Sequence, residues 1–216
     1  MTATERKLNS DKILKSLGIV IIDELPPLEE EGAIRLRSPQ EIAERILILT
    51  YLNCIATETN LSGRVVEFLK QEGLWEKTSA FEKSLFSKSR LTPEDETIIR
   101  SRGESIWVLL WTISSVDELD LPIEPIDPQD VFPRLPRFLE SAHDFIHAAA
   151  TRPTSVILDQ ADLIFRLAWA AMQQEKEKGQ YQTELNYSVA YERHYAMNWI
   201  TSVQQEWDGE AQRFSV

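Results

Sequence analysis

Cysteine is nearly absent from this chain of 216 residues, which contains a single one, Cys54. One cysteine excludes an internal disulfide and any cysteine-rich metal site. It lies in an apolar helical stretch, where a free cysteine usually behaves as a small buried hydrophobic residue. Glycine (7 residues) and proline (10 residues) are also sparse. This composition is typical of an ordinary globular protein and excludes the disordered and fibrous classes.

Long apolar runs are missing as well. The longest apolar run extends from Ile106 to Leu110, and Trp111 and Ile113 follow it. This is far short of the ~20 residues that a membrane-spanning helix needs. Residues 1–9 are polar and lack the apolar core of a signal peptide. The sequence therefore predicts a cytoplasmic protein without a membrane partner.

Basic residues are outnumbered, with 23 Lys and Arg against 35 Asp and Glu, so the formal net charge is -12. Such a chain repels phosphate backbones, and the densest basic stretch, residues 83–90, carries only three positive side chains. We expect no nucleic-acid partner. An acidic surface suits a basic protein partner, although the same surface is explained by solubility alone.

Helix start signals recur along the chain. Ser38 is followed by Pro39 and Glu41, and Ser79 by Glu82, which is the pattern of a capping box. Apolar residues between such signals follow the helical period. We therefore predict an all-α fold in which residues 1–216 form one helical bundle. A short strand pair near residues 19–22 is the one β element that the pattern allows.

Two segments interrupt the helices. Residues 19–37 are expected to form an extended loop after a first helix that stops at Gly18. Residues 116–136 contain five of the ten prolines and are expected to form an irregular connector. Further helices are predicted over residues 137–149, 155–178 and 186–205. In the helical segment before the connector, Gly103 marks either close packing or a break, and the sequence leaves both open.

The predicted helix over residues 155–178 has apolar residues on every side, which is typical of a buried central helix. Asp159, Asp162 and Arg166 nevertheless share one narrow stripe of this helix. Because charged residues are rarely buried unless they are paired, we expect Arg166 to pair with a carboxylate. Asp162 lies four residues before it, the better orientation for a helical ion pair.

The last predicted helix, residues 186–205, places Glu192 in the middle of its apolar face. A carboxylate there needs a cation or a proton, and we expect Arg166 to supply the cation. Arg102 and Glu104 are weaker candidates for the same network. A second face of this helix carries polar-tipped residues at helical spacing, which are candidates for binding: Tyr187, Tyr191, His194 and Asn198.

Two interpretations of these charges remain open. In the structural one, an Asp–Arg–Glu network fixes how the helices pack. In the functional one, the residues line a pocket and act as acid, base or ligand; the catalytic candidates are then Asp159, Asp162, Arg166, Glu192 and His194. Glu192 and His194 lie about 160° apart on the helix, so we expect at most one of them to line any pocket.

Other chemistries have little support. His143 and His147 lie four residues apart on one helix, but no third ligand accompanies them, so we predict no metal site. The chain has no glycine-rich phosphate loop, no G-x-S-x-G elbow and no H-E-x-x-H motif. We therefore predict no cofactor.

Two stretches near the C-terminus, SVILDQADLIFRLAW (residues 155–169) and YERHYAMNW (191–199), precede Trp207 and Asp208. Together they resemble the signature of the domain of unknown function 4272 family. Shorter matches place the resemblance over nearly the whole chain. This chain departs from the family pattern at Ala168, where the family often has a histidine, and in residues 209–216. The resemblance implies a one-domain, mostly helical, bacterial-type protein, and it implies no activity.

The leading expectation for function is a non-enzymatic cytoplasmic protein that acts through protein–protein contact, as the acidic partner of a basic protein. The alternative is a hydrolase-type enzyme that uses Asp159, Asp162, Glu192 and His194. An open pocket at these residues would favour the enzyme, and a closed, paired network would favour the interaction protein.

Overall fold

The structure is a computed structural model that describes residues 1–176 and 183–209. In these ranges the chain is helical and contains no β-strand. The α-helices are α1 (Ala3–Ser16), α2 (Pro39–Thr57), α3 (Ser62–Gln71), α4 (Ala80–Phe86), α5 (Pro93–Thr112), α6 (Pro128–Val131), α7 (His143–Ala148), α8 (Thr154–Lys176) and α9 (Tyr187–Ile200). Short 3-10 turns lie at Glu31–Ala33, Thr59–Leu61, Trp75–Lys77 and Phe132–Arg134. The predicted all-α fold is confirmed.

The predicted capping boxes are present. The Ser38 side chain accepts a hydrogen bond from the Glu41 backbone N–H, and the Glu41 carboxylate accepts one from the Ser38 N–H. Ser79 and Glu82 make the same reciprocal pair at α4. Helix α1 ends as predicted at Gly18, which has a φ of 70° and closes the last turn. Local side-chain chemistry therefore sets where these helices begin and end.

Two predicted helices are shorter than expected. The segment 137–142 is not helical, because Leu139 turns the chain at a φ of 58° and donates its N–H to the Tyr51 hydroxyl. Helix α9 ends at Ile200 instead of near residue 205. There the Arg37 side chain donates to the Trp199 and Gln204 carbonyls, so these carbonyls are satisfied outside a helix. The predicted end of the long helix at residues 178–179 lies outside the described residues.

The two irregular segments are largely as predicted. Residues 19–22 contain no strand, and the loop over residues 19–37 has only the 3-10 turn Glu31–Ala33. The proline-rich connector, residues 116–136, contains α6 and the following 3-10 turn, where Asp127 caps α6 by accepting from the Gln129 N–H. Within the described residues, no helix is both long enough and apolar enough to cross a membrane.

The long helices form a row. Helix α2 packs against α5, α5 against α9, α9 against α8, and α8 against α1. Helices α3, α4 and α7 pack around α2 and share one apolar cluster with it. As expected, α8 is heavily buried, including its charged residues Asp162 and Arg166.

Gly103 lies inside the continuous helix α5, so the structure decides the alternative that the sequence left open. A Cβ atom added at this position would meet the Ile126 side chain at 3.6 Å, which is ordinary contact. The connector is also held there by the Glu104 carboxylate, which accepts a hydrogen bond from the Ile126 backbone N–H at 2.6 Å. Gly103 thus marks a close approach of the connector, and the helix does not break.

We predict that Gly103→Ala raises the free energy of unfolding by about 0.5–1 kcal/mol, because alanine loses less backbone entropy in a helix and has room here. Gly73→Ala is the matched control. Gly73 has a φ of 71° with open space around it, so alanine there should lower stability by about 1 kcal/mol. Urea denaturation measures both, and a destabilised Gly103→Ala variant would contradict the assigned packing.

Candidate functional site

The Arg166 guanidinium lies at the junction of α8, α1 and the loop that follows α1. Its Nε and Nη2 donate to the two oxygens of Asp162 at 2.8 and 3.0 Å, and Nη2 also donates to the Pro26 carbonyl at 3.1 Å. Asp11 of α1 lies 3.3 Å from the same Nε. Arg166 has no exposed surface. The expected burial and pairing of Arg166 with Asp162 are therefore present.

Asp159, one turn earlier on α8, takes part in a second ion pair with α1. It accepts a hydrogen bond from Arg6 Nε at 3.0 Å, and Arg6 is buried. The side chain of Asp159 itself is 40% exposed. Arg6 and Arg166 together hold α1 against α8, although the sequence analysis did not single out Arg6 or Asp11.

Glu192 does not pair with Arg166, and this expectation is wrong. Its carboxylate faces α5, where it accepts hydrogen bonds from Arg102 at 3.0 Å, from Ser105 at 2.9 Å and from Ser101 at 3.3 Å. Burial alone would lower the pKa of Arg102, but the Glu192 carboxylate raises it above the ordinary value. A helical wheel gives the face on which a residue lies, and it does not say which neighbouring helix covers that face.

A second ion pair joins α9 to α5. Arg193 Nε donates to Glu104 at 2.8 Å, and its Nη1 donates to the Asp120 carbonyl of the connector. Arg193 and Glu104 are both buried. The charged candidates are thus divided between two interfaces, α1–α8 and α5–α9, and they do not converge on one site.

His194 and Asn198 lie on the opposite side of α9 from Glu192 and line one cavity of about 210 Å³. The His194 ring lies 5.8 Å from the Phe165 ring of α8. Burial lowers the pKa of His194 from 6.5 to about 4, so the imidazole is neutral at physiological pH. We name this cavity the His194 pocket. It is lined by Pro26, Pro27, Leu28, Glu29, Ile34, Leu158, Ala161, Phe165, His194, Met197, Asn198, Thr201 and Val203.

The two tyrosines predicted on the same face of α9 lie nearer its N-terminus than His194 and Asn198. The Tyr187 and Tyr191 rings contact each other, with centroids 5.9 Å apart, in the N-terminal half of α9. Tyr191 also lies 6.3 Å from the ring of Tyr195. These tyrosines are not among the residues that line the His194 pocket.

The two exposed histidines of α7 stack on each other, with ring centroids 3.9 Å apart. The His147 ring also bonds the His143 carbonyl at 2.8 Å. In the part of the chain that the structure describes, no group of three His, Cys, Asp or Glu side chains is arranged to hold a metal ion.

The segment after α9 has a structural role that the sequence analysis did not identify. Trp207 is buried between two guanidinium groups, with Arg45 at 5.0 Å and Arg102 at 5.7 Å from its ring centroid. Its carbonyl accepts from the Tyr195 hydroxyl. Asp208 accepts a hydrogen bond from the Phe81 N–H at 3.0 Å, at the start of α4. This segment therefore closes the end of the bundle.

A larger apolar cleft lies between α2, α5 and the proline-rich connector. It has a volume of about 530 Å³, and an adjoining cavity of about 320 Å³ shares part of its wall. We name it the connector cleft. Its lining includes Thr50, Cys54, Thr57, Glu58, Leu61, Arg100, Gly103, Ile106, Pro125, Ile126, Pro128, Val131, Phe132 and Phe138.

Cys54 was expected in the core, but it is only partly buried and lines this cleft. Burial raises the pKa of its thiol, so the sulfur is a weak nucleophile at neutral pH. The sequence did not predict this cleft, because part of its lining comes from irregular chain. In irregular chain no periodic pattern shows which side chains face inward.

The described residues form an all-helical protein in which buried ion pairs hold the helices together, and none of these paired side chains lines the connector cleft or the His194 pocket. Residues 6–209 match the family model described as Domain of unknown function (DUF4272), and the chain belongs to this family. Comparisons with curated proteins and with solved structures find no match.

We predict that His194 makes the protein less stable as the pH falls from about 6.5 to about 4. Over this range the unfolded chain binds a proton at His194, whereas the folded protein does not, so the free energy of unfolding falls by up to roughly 3 kcal/mol. Above pH 6.5 both states hold the neutral imidazole, and the contribution is constant.

Chemical denaturation of the parent and of His194→Gln across this pH range measures the effect. The variant should show a shallower decline than the parent. His147→Gln, which removes an exposed histidine, serves as the matched control and should leave the slope unchanged. If the free energy of unfolding declined equally with falling pH in the parent and in His194→Gln, the buried, neutral state of His194 would be contradicted.

Proposed function

We propose that this protein is a non-enzymatic cytoplasmic protein that acts by binding a basic, amphipathic segment of a partner protein in the connector cleft. The cleft between α2, α5 and the connector has exposed aromatic residues in its lining, and the connector carries a strongly acidic stretch.

The apolar surface of the cleft is unusual for a chain of this composition. Phe132 is 57% exposed and Phe138 is 45% exposed, and both line the cleft. Exposed aromatic side chains around a concave apolar surface are typical of interaction sites, because they bury much area when a partner arrives. Within the cleft, the buried Thr50 hydroxyl has no hydrogen-bond partner among the described residues, so it offers a polar contact to a bound group.

The negative charge of the connector indicates that the partner is basic. From residue 117 to residue 130 the connector carries six acidic side chains, all exposed, and no basic one. These are Asp117, Glu118, Asp120, Glu124, Asp127 and Asp130. The two charges within the lining itself, Glu58 and Arg100, are of opposite sign. A partner with lysine or arginine beside its apolar residues would complement this edge and be attracted to it at a distance.

The volume of the cleft leaves room for apolar side chains of a partner. Its volume of about 530 Å³ falls in the range of pockets that enclose a ligand. An amphipathic helix binds such a groove through apolar side chains at i, i+3 or i+4, and i+7, while its polar face remains in water. Basic residues on the flanks of that helix would then lie beside the acidic connector.

The hydrolase alternative receives less support. Its four candidates, Asp159, Asp162, Glu192 and His194, lie in three places, and three of them are carboxylates already paired with arginines. Structural ion-pair networks account for such residues without catalysis. His194 is the one candidate that lines a cavity, and no acidic candidate lines it with His194.

A synthetic peptide with leucines along one face and lysines along the other tests the proposal. We predict that it binds the parent protein, and that Phe132→Ser weakens binding about tenfold or more, as expected for an aromatic anchor. Fluorescence anisotropy of the labelled peptide gives the affinity. Binding should also weaken as salt is raised, because the connector charges are exposed.

Phe81→Ser is the matched control, since Phe81 is also exposed (39%) but lies on α4 outside the cleft lining. A peptide in which serines replace the leucines controls for charge alone. Equal loss of affinity in Phe132→Ser and Phe81→Ser, or equal binding of the two peptides, would contradict the proposed site.

A further inference from the structure

The His194 pocket is a second cavity, separate from the connector cleft. It lies between α8, α9 and the loop that contains Pro26 and Pro27, and the two cavities share no lining residue. Its volume of about 210 Å³ exceeds the roughly 150 Å³ cavity that is known to hold benzene in an engineered protein. The pocket therefore has room for one substituted aromatic ring.

The walls of the pocket are suited to a flat apolar group. Leu158, Ala161 and Met197 form part of the lining, and Phe165 offers an aromatic ring beside His194. Aromatic rings pack favourably on such surfaces in offset or tilted arrangements. These contacts would hold a ring, and they give no preference among rings of similar size.

The side-chain amide of Asn198 favours aromatic ligands that carry a hydrogen-bond acceptor. Asn198 lines the pocket, and its side-chain nitrogen is buried without a hydrogen-bond acceptor among the described residues. A buried donor without an acceptor is unfavourable, and a ligand that carries an acceptor would remove this cost. Thr201, in the next turn, donates its own hydroxyl to the Met197 carbonyl at 2.9 Å and thus leaves its oxygen able to accept.

Charge narrows the ligand class further. Among the residues that the structure describes, Glu29 is the one charged side chain in the lining and is exposed, and none of the lining residues is an arginine or a lysine. A carboxylate ligand would therefore be repelled at the entrance and find no cation within. A neutral carbonyl compound meets neither obstacle.

We propose that the His194 pocket binds a small, neutral aromatic molecule that carries a carbonyl group, with Asn198 donating a hydrogen bond to that carbonyl. An aromatic carboxamide has the required chemistry, because its carbonyl accepts from Asn198 and its NH₂ group can donate to the Thr201 oxygen. This binding activity is independent of the partner site in the connector cleft.

Benzamide is the probe, with toluene as the ring without an acceptor. In ¹H–¹⁵N spectra of the full-length parent protein, benzamide at millimolar concentration should shift the Asn198 side-chain amide signal. Asn198→Leu should weaken benzamide binding about tenfold, the effect of losing one hydrogen bond to a buried donor. Toluene binding should not weaken in this variant, because leucine keeps the size of the side chain and adds apolar surface.

Asn9→Leu is the matched control, since Asn9 is exposed on α1 and lines neither the His194 pocket nor the connector cleft, and it should leave benzamide binding unchanged. Retained toluene binding shows that Asn198→Leu is folded. The proposal is overturned if benzamide leaves the Asn198 amide signal of the parent unmoved, or if Asn198→Leu and Asn9→Leu bind benzamide equally well. Benzoate should bind more weakly than benzamide, and tighter benzoate binding would contradict the assigned charge preference.

Discussion

Buried guanidinium groups are the constraint on which the rest of this structure depends. Arg6, Arg45, Arg166 and Arg193 are each no more than 7% exposed. A charge removed from water must be matched by a carboxylate placed with good geometry, so each arginine fixes how two segments of the bundle meet. The pairs join α1 to α8, α2 to α4 and α9 to α5, and Arg166 adds the loop after α1 through the Pro26 carbonyl.

These pairs also determine where function can lie. The carboxylates that look most like catalytic groups are held by arginines, with Glu192 bound to Arg102 and Asp162 to Arg166. Pairing with a buried arginine accounts for these carboxylates without a catalytic role. The connector cleft and the His194 pocket contain none of these paired side chains, and each is lined by a residue with one unsatisfied polar atom, at Thr50 and Asn198. Both proposals of binding rest on these two cavities.

Much of the fold was predictable because helix ends are encoded locally. The capping pairs at Ser38 and Ser79 act over three residues, and the Asp162–Arg166 pair over four, so each can be recognised within one turn. The choice between Arg166 and the weaker candidate Arg102 as the partner of Glu192 could not be made in this way, since Arg102 lies ninety residues earlier and helix order in the row is not a local property. The connector cleft was missed for a related reason, because irregular chain has no period to reveal which residues face inward.

The free energies of unfolding of Arg166→Met, Asp162→Leu and the double variant test the central claim, that the buried charges are structural. The account predicts that each single change lowers stability by about 3–5 kcal/mol, because it leaves a buried charge unmatched. The double variant should recover part of that loss, limited by Asp11, which stays beside the vacated position. Arg166→Met with stability equal to or above that of the parent would contradict the account, since charges retained at a cost to stability are typical of functional sites.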